Sequence, residues 1–157
     1  EAPSTVENFV KLATGKKAWK HPRTGKMMLS RLYEGTHFFR VVPGFIIQGG
    51  DPENTGRSGS GMRLPLEPFP GRTFIRGGML AMVESGGQSD GSQFFLTLSP
   101  APWLDNKHTI IGEIVKGREV VEAIASSPRV ETDPETGRLI DRPLKPQILK
   151  KIRIVQR

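Results

Sequence analysis

Arg40 stands inside an apolar run, Phe38-Phe39-Arg40-Val41-Val42. Strand alternation puts it on the face opposite Phe39 and Val41. It is either an exposed strand arginine or a positive charge held at a site. Gln48 and Gln93 also lie in apolar runs, where an amide side chain must find a hydrogen-bond partner. Phe45, Phe95, Trp103 and Leu104 are either core residues or the wall of an apolar recess. The cluster has one cation and two amides but no acid–base pair, so it could bind and polarise a group without relaying protons.

Other chemistries lack support. His21, His37 and His108 are not at metal-ligand spacing with one another. His108 follows Trp103-Leu104-Asp105-Asn106-Lys107, a turn that opens a strand, and taken alone it reads as structural. No Gly-x-Ser-x-Gly elbow comes with a plausible triad. The glycine loop after Gln48 lacks the closing Gly-Lys-Ser/Thr of a P-loop and the spacing of a dinucleotide fingerprint. The chain has no cysteine, which excludes disulfides, thiolate chemistry and cysteine-ligated zinc. Neither a metal nor a cofactor is expected.

These residues need elements to position them. Ser4 to Glu7 has capping-box spacing, and Val6, Phe9, Val10 and Ala13 then share a helical face that Gly15 can end. A Gly/Lys/Pro-rich exposed loop is expected from Lys16 to Lys26. Thr36 to Val42 and Phe45 to Gln48 read as strands around the Pro43-Gly44 turn. A loop from Gly49 to Gly61 holds five glycines. Gly78 to Val83, Gln93 to Leu98 and His108 to Val115 read as further strands, Glu119 to Ala125 as a second helix stopped by Pro128, and Ile148 to Val155 as a last strand with Ile152 and Ile154 on one face. The pattern predicts a mainly β chain, a β-barrel plugged by two helices.

At 157 residues the chain suits one domain with a substantial core. Its 36% hydrophobic and 25% charged residues fit neither disorder nor a membrane protein, and no uninterrupted apolar run could span a bilayer. The net charge is +7, with basic residues spread along the whole sequence and densest at Lys16 to Lys26 and Lys145 to Arg157. That reads as a solvated surface. Attraction to nucleic acid or anionic lipid would require the charge on one face.

The same positions carry a resemblance to the cyclophilins over nearly the whole chain. Thr5-Val6-Glu7-Asn8-Phe9 resembles that family's first helix. Phe39-Arg40-Val41-Val42-Pro43-Gly44-Phe45-Ile46-Ile47-Gln48-Gly49-Gly50-Asp51 resembles its signature strand pair. Gly78-Met79-Leu80-Ala81-Met82, Asp90-Gly91-Ser92-Gln93-Phe94-Phe95 and Trp103-Leu104-Asp105-Asn106-Lys107-His108 follow in the family's order. The resemblance implies a cyclophilin-like antiparallel β-barrel with two capping helices, and cis/trans isomerisation of peptidyl-prolyl bonds in folding proteins. It implies Arg40 as the catalytic arginine, and Phe45, Ile46, Phe95 and Leu104 as the proline pocket. Gln48 would bond the substrate backbone and orient Arg40. Gln93, Trp103 and His108 would line the same groove, with Val83 and Glu84 beside the substrate backbone. The family usually has Met where Ile46 stands, commonly shows Ala and Asn at Val83 and Glu84, and often has His at Phe39.

The implied partners are proline-containing peptides and unfolded or folding proteins, with cyclosporin as a further ligand supported by Trp103. A monomer is expected, with no membrane and no nucleic-acid partner. The loop at Lys16 to Lys26 is similar to loops of bacterial members, which leaves the compartment open between cytoplasm and periplasm. A non-catalytic binding module and a nucleic-acid-associated protein are the rival readings. The family's barrel places two strands ahead of the first helix, whereas this chain begins almost at that helix. A single domain over residues 1–157 is therefore expected, N-terminally incomplete, with those two strands absent and open sheet edges.

Overall fold

The computed structural model describes residues 1–155. Helix α1 runs over Pro3–Thr14, with the proline in its first turn, where a missing amide hydrogen costs nothing. The expected capping box does not form, because the helix starts two residues too early for Ser4 to cap it, with Ala2 at the N-cap instead. The amides of Ser4 and Thr5 instead donate to the Glu67 carboxylate, at 3.4 and 2.8 Å, and the Thr5 hydroxyl donates to it at 2.6 Å. A distant carboxylate thus satisfies the orphan amides at the positive end of the helix. Burial pushes the Glu67 carboxyl up, but these bonds more than reverse it and hold it below the ordinary range. Gly15 ends the helix as expected, in the left-handed region at φ 73°. The buried positions of α1 are Thr5, Asn8, Leu12 and Ala13, while Val6 is exposed. The helix is rotated from the apolar reading because Asn8 is drawn inward, its amide donating to the Gly91 carbonyl at 2.8 Å.

The expected loop from Lys16 to Lys26 contains structure. Strand β1 (Trp19–Lys20) pairs with β2 (Met27–Met28), and Trp19 is buried with its indole N–H on the Ser30 carbonyl at 3.1 Å. The predicted strand at Thr36 to Val42 is split into β3 (Thr36–His37) and β4 (Arg40–Val42), followed by β5 (Ile46–Gly49) and the short β6 (Arg63–Leu64). The long hairpin of β7 (Met79–Ser85) and β8 (Gln88–Thr97) turns at Gly86 and Gly87. The string Gly87 to Gly91 fits Gly-x-Ser-x-Gly but runs along β8, and Ser89 is buried with its hydroxyl on Thr109. Then come β9 (Ile110–Glu113), helix α2 (Arg118–Ala125), the hairpin β10 (Arg129–Thr132) and β11 (Leu139–Pro143), and β12 (Ile148–Leu149). The β10–β11 hairpin was not apparent in the apolar pattern. The last strand is shorter than expected: among the described residues β12 pairs only with β3, Ile152 is partly buried, and Ile154 is exposed.

The main sheet is antiparallel, in the order β4-β5-β8-β7-β9, with β6 alongside the first half of β8. Its two faces bear different cores, as strand alternation requires. On one face Val41, Ile47, Phe94 and Met82 join Leu12 of α1 and Ala125 of α2 around Tyr33. On the other, Ile46, Phe95, Ala81 and Met79 join Phe74 and Ala101. The strands do not close into a barrel. The strands form four separate sheets, and β9 pairs only with β7 among the described residues, so its outer edge is open. The architecture is mainly β with two helices.

Candidate functional site

The strand register lays the site out in a row. Arg40 on β4 faces Gln48 on β5, Gln48 faces Phe95 on β8, and Phe95 faces Ala81 on β7. Facing residues across neighbouring strands point to the same side of a sheet. Arg40 therefore projects from the second face, away from the buried Val41, and is not a plain solvent-facing arginine. A recess of about 260 Å³ opens there, lined by Arg40, Phe45, Ile46, Gln48, Val83, Phe95, Leu104 and His108. Eight of the residues singled out from sequence thus surround one cavity.

Its polar side is a chain of hydrogen bonds. Arg40 Nη1 donates to Gln48 Oε1 at 3.4 Å, Gln48 Nε2 to Gln93 Oε1 at 3.0 Å, and Gln93 Nε2 to the Ser58 carbonyl at 2.7 Å. Gln93 is buried and supports Gln48 from behind, rather than lining the recess. The apolar side is held by rings. Phe95 stacks on Phe74 at 6.0 Å and meets His108 edge to face at 5.1 Å. Trp103 packs beside Phe45 at 5.9 Å but is 57% exposed and stands outside the recess. Glu84 also lies outside, its carboxylate accepting the Gly87 amide in the β7–β8 turn.

The far end of that chain is anchored by Asp51. This fully buried carboxylate accepts the amides of Glu53, Thr55, Gly56 and Ser58, together with the Thr55 and Ser58 hydroxyls. It gathers the loop that delivers the Ser58 carbonyl to Gln93. Two acidic groups at the site were missed by sequence reasoning, Asp51 as an anchor and Asp141. Asp141 is buried in β11, with its carboxylate 3.8 Å from Arg40 Nε and 3.3 Å from Arg129 Nε. It sits at φ 45°, a backbone conformation unusual for any residue but glycine. Asp51 was quoted in the strand-pair motif, but nothing local showed how many donors it collects. Asp141 gave no signal at all, since its partner lies about a hundred positions earlier in the chain.

His108 is the titratable group on the wall. Its Nδ1 lies 3.1 Å from the Met82 carbonyl, which can only accept, so that nitrogen carries the hydrogen. Burial pushes the imidazole below the ordinary 6.5, and this outweighs the Met82 bond and the Glu84 charge that oppose it. Its ring C–H signals are therefore expected to titrate by NMR with a midpoint below 6.5. In the window between that midpoint and 6.5 the unfolded chain binds more protons than the folded one, so stability declines as pH falls through it. A midpoint at or above 6.5 would mean that the ring is solvated rather than buried against Phe95.

Comparison with known proteins gives a consistent set of matches. The family model described as "Cyclophilin type peptidyl-prolyl cis-trans isomerase/CLD" matches residues 1–154. Peptidyl-prolyl cis-trans isomerase B of Streptomyces anulatus is 48% identical over 153 residues, covering 96% of this chain and 83% of that protein. Peptidyl-prolyl cis-trans isomerase A of Mycobacterium tuberculosis is 40% identical over 155 residues, covering 98% of this chain and 81% of its own. Among solved structures, a cyclophilin type peptidyl-prolyl cis-trans isomerase of Cryptosporidium parvum, determined in the presence of the dipeptide Ala-Pro, superposes with a TM-score of 0.78 at 28% identity, covering 99% of this chain and 87% of that one.

Proposed function

The chain belongs to the cyclophilin-type peptidyl-prolyl cis-trans isomerase family, and from that premise we propose that it turns X–Pro bonds of peptides and folding proteins in the recess beside Arg40, as a single domain over residues 1–157. The observation that carries this reading is that the Arg40 guanidinium and the Phe45 and Phe95 rings share one cavity.

The barrier to be lowered is about 18–20 kcal/mol and arises from amide resonance. Uncatalysed prolyl isomerisation takes roughly tens to hundreds of seconds. A five-decade acceleration requires about 7 kcal/mol off that barrier. No bond to the enzyme has to form. As the amide twists, its nitrogen loses conjugation and regains a lone pair. Arg40 donates to that nitrogen, or to the carbonyl oxygen as it swings, and a charge-assisted bond contributes about 1.5–3 kcal/mol. The remainder comes from the apolar wall of Phe45, Ile46, Phe95 and Leu104, which holds the ring and excludes the water that favours the planar, more polar amide. Gln48, braced by Gln93, bonds the peptide backbone so that rotation is confined to one bond. Val83 and His108 complete the wall. Trp103 and Glu84 contact longer ligands from the rim, Trp103 serving cyclosporin.

The reading is tested with the wild-type chain and an Ala-Pro peptide by NMR exchange spectroscopy. Catalytic amounts of protein are expected to bring cis/trans exchange from the uncatalysed scale of about a minute to well under a second, and micromolar cyclosporin to suppress it. An exchange rate unchanged by the protein would overturn the assignment. Catalysis that persists at saturating cyclosporin would remove only the Trp103 role.

A further inference from the structure

Beside the proposed proline recess lies a second one of about 330 Å³, and the two share Arg40 and Gln48 as a common wall. Its other walls come from the loop that Asp51 organises, which supplies Arg57, and from the β10–β11 hairpin, which supplies Arg138 and Arg142. Arg57, Arg138 and Arg142 are exposed, and none of them enters an ion pair among the described residues. Four guanidinium groups thus line the recess. One carboxylate, Asp133, lines it with them and also feels the Arg57 charge. Its Oδ1 accepts the amides of Glu135 and Thr136 across the hairpin turn, and these bonds hold its carboxyl below the ordinary range. Asp141 lies behind the wall and is shared between Arg40 and Arg129, and Glu131 is taken by Arg129.

Like charges gathered at a concave surface in excess of their counter-charges, here four guanidinium groups against the Asp133 carboxylate on the lining, set up a local potential that attracts anions. The planar guanidinium fork matches a carboxylate bidentately, and arginine serves this recognition better than lysine. We propose that this recess is an acidic-residue subsite: a peptide whose proline fills the first recess places an Asp or Glu side chain in the second. An extended chain advances about 3.3–3.6 Å per residue, and the recesses share a wall, so the acidic residue lies within about three positions of the proline. This deepens, and rests on, the isomerase reading, for it names the substrate class of that site as acidic prolyl segments. The selection acts in binding, since these arginines touch the flanking chain and not the rotating bond.

The test is a peptide series with Glu, Gln or Lys at each of the three positions before and after a single proline, assayed for isomerisation with the wild-type protein and with the double variant Arg138→Glu/Arg142→Glu. Glu at the matching position is expected to raise kcat/KM about tenfold over Gln, through KM, with Lys below Gln, since two exposed charge pairs contribute at most this order. The preference should fade at 1 M salt, where the Debye length is about 3 Å. The double variant should reverse the order of Glu and Lys while turning over the Gln peptide like wild type. Wild-type turnover of the Gln peptide with no gain from Glu at any position overturns the subsite alone, as does a preference that survives in the double variant. No turnover of any peptide overturns the isomerase reading and the subsite with it.

Discussion

Replacing Arg40 with alanine is expected to lower kcat/KM for prolyl isomerisation by about 10–10², the about 1.5–3 kcal/mol of one charge-assisted bond converted to rate. The loss should fall mainly on kcat, because the interaction strengthens only as the amide twists and its nitrogen recovers a lone pair. The fold should survive. Arg40 projects from the sheet face opposite Val41, and Asp141 retains Arg129 as a partner when Arg40 is gone. Circular dichroism and thermal melting should therefore be near wild type. Arg40→Lys should recover only part of the rate, since an ammonium cannot keep the fork that reaches Gln48 and the substrate together. Asp141→Asn should cost less than Arg40→Ala, as Arg40 keeps its bond to Gln48. Near-normal turnover by a folded Arg40→Ala protein would remove this residue from the mechanism.

The largest loss of stability is expected from Asp51→Ala. The carboxylate is fully buried and accepts six hydrogen bonds, four of them from backbone amides of one loop. Alanine leaves those amides to water or to nothing, and each unsatisfied buried donor costs about 1–3 kcal/mol. Thr55 to Arg57 are exposed, and water can replace part of what they lose. The net expectation is about 3–5 kcal/mol, read as a lower denaturant midpoint with little change in m. Activity should fall as well, since this loop carries the Ser58 carbonyl that holds Gln93. Burial alone would push the Asp51 carboxyl up, but the bonds from Ser58, Glu53 and Thr55 outweigh it and leave it below the ordinary 3.8. Its contribution is therefore complete above 3.8 and lost as pH falls through the lower folded midpoint, a slope that Asp51→Ala should abolish. A variant destabilised by less than about 1 kcal/mol would show that water serves the loop as well as the carboxylate does.

Local pattern in the sequence was a good guide wherever the determining partner was close by. The Pro43-Gly44 pair marks the β4–β5 turn, and alternation alone sets Arg40 against Val41. Gly15 ends α1 because the left-handed conformation asks for glycine at that step. The grouping of Arg40, Phe45, Ile46, Gln48, Val83, Phe95, Leu104 and His108 around one cavity was legible through the family motifs, whose order along the chain carries the topology. What stayed hidden was nonlocal. The cap on α1 is Glu67, more than sixty residues away, and Asn8 turns inward for a carbonyl on β8. Trp19 looks like a loop residue until Ser30 is seen to take its indole hydrogen. The β10–β11 hairpin is too polar for a periodicity signal, yet it supplies Asp141 to Arg40 and two arginines to the neighbouring recess. The sheet stops short of a barrel at β9, whose outer edge takes no strand among the described residues; open edges were expected, but which strand would carry one was not legible locally.

The alignment of Arg40, Gln48 and Phe95 on successive strands ties enzymatic competence to the ladder itself. A one-residue slip of β4 against β5 would bring Val41 to the outside and drive the guanidinium into the helix-covered interior, because side-chain facing reverses with every step. The same slip would erase the site and bury an unpaired charge, which is heavily penalised. A misaligned sheet thus has no way to be both tolerably stable and partly active. During refolding, recovered turnover should count molecules in which these strands have found their proper partners, and no others.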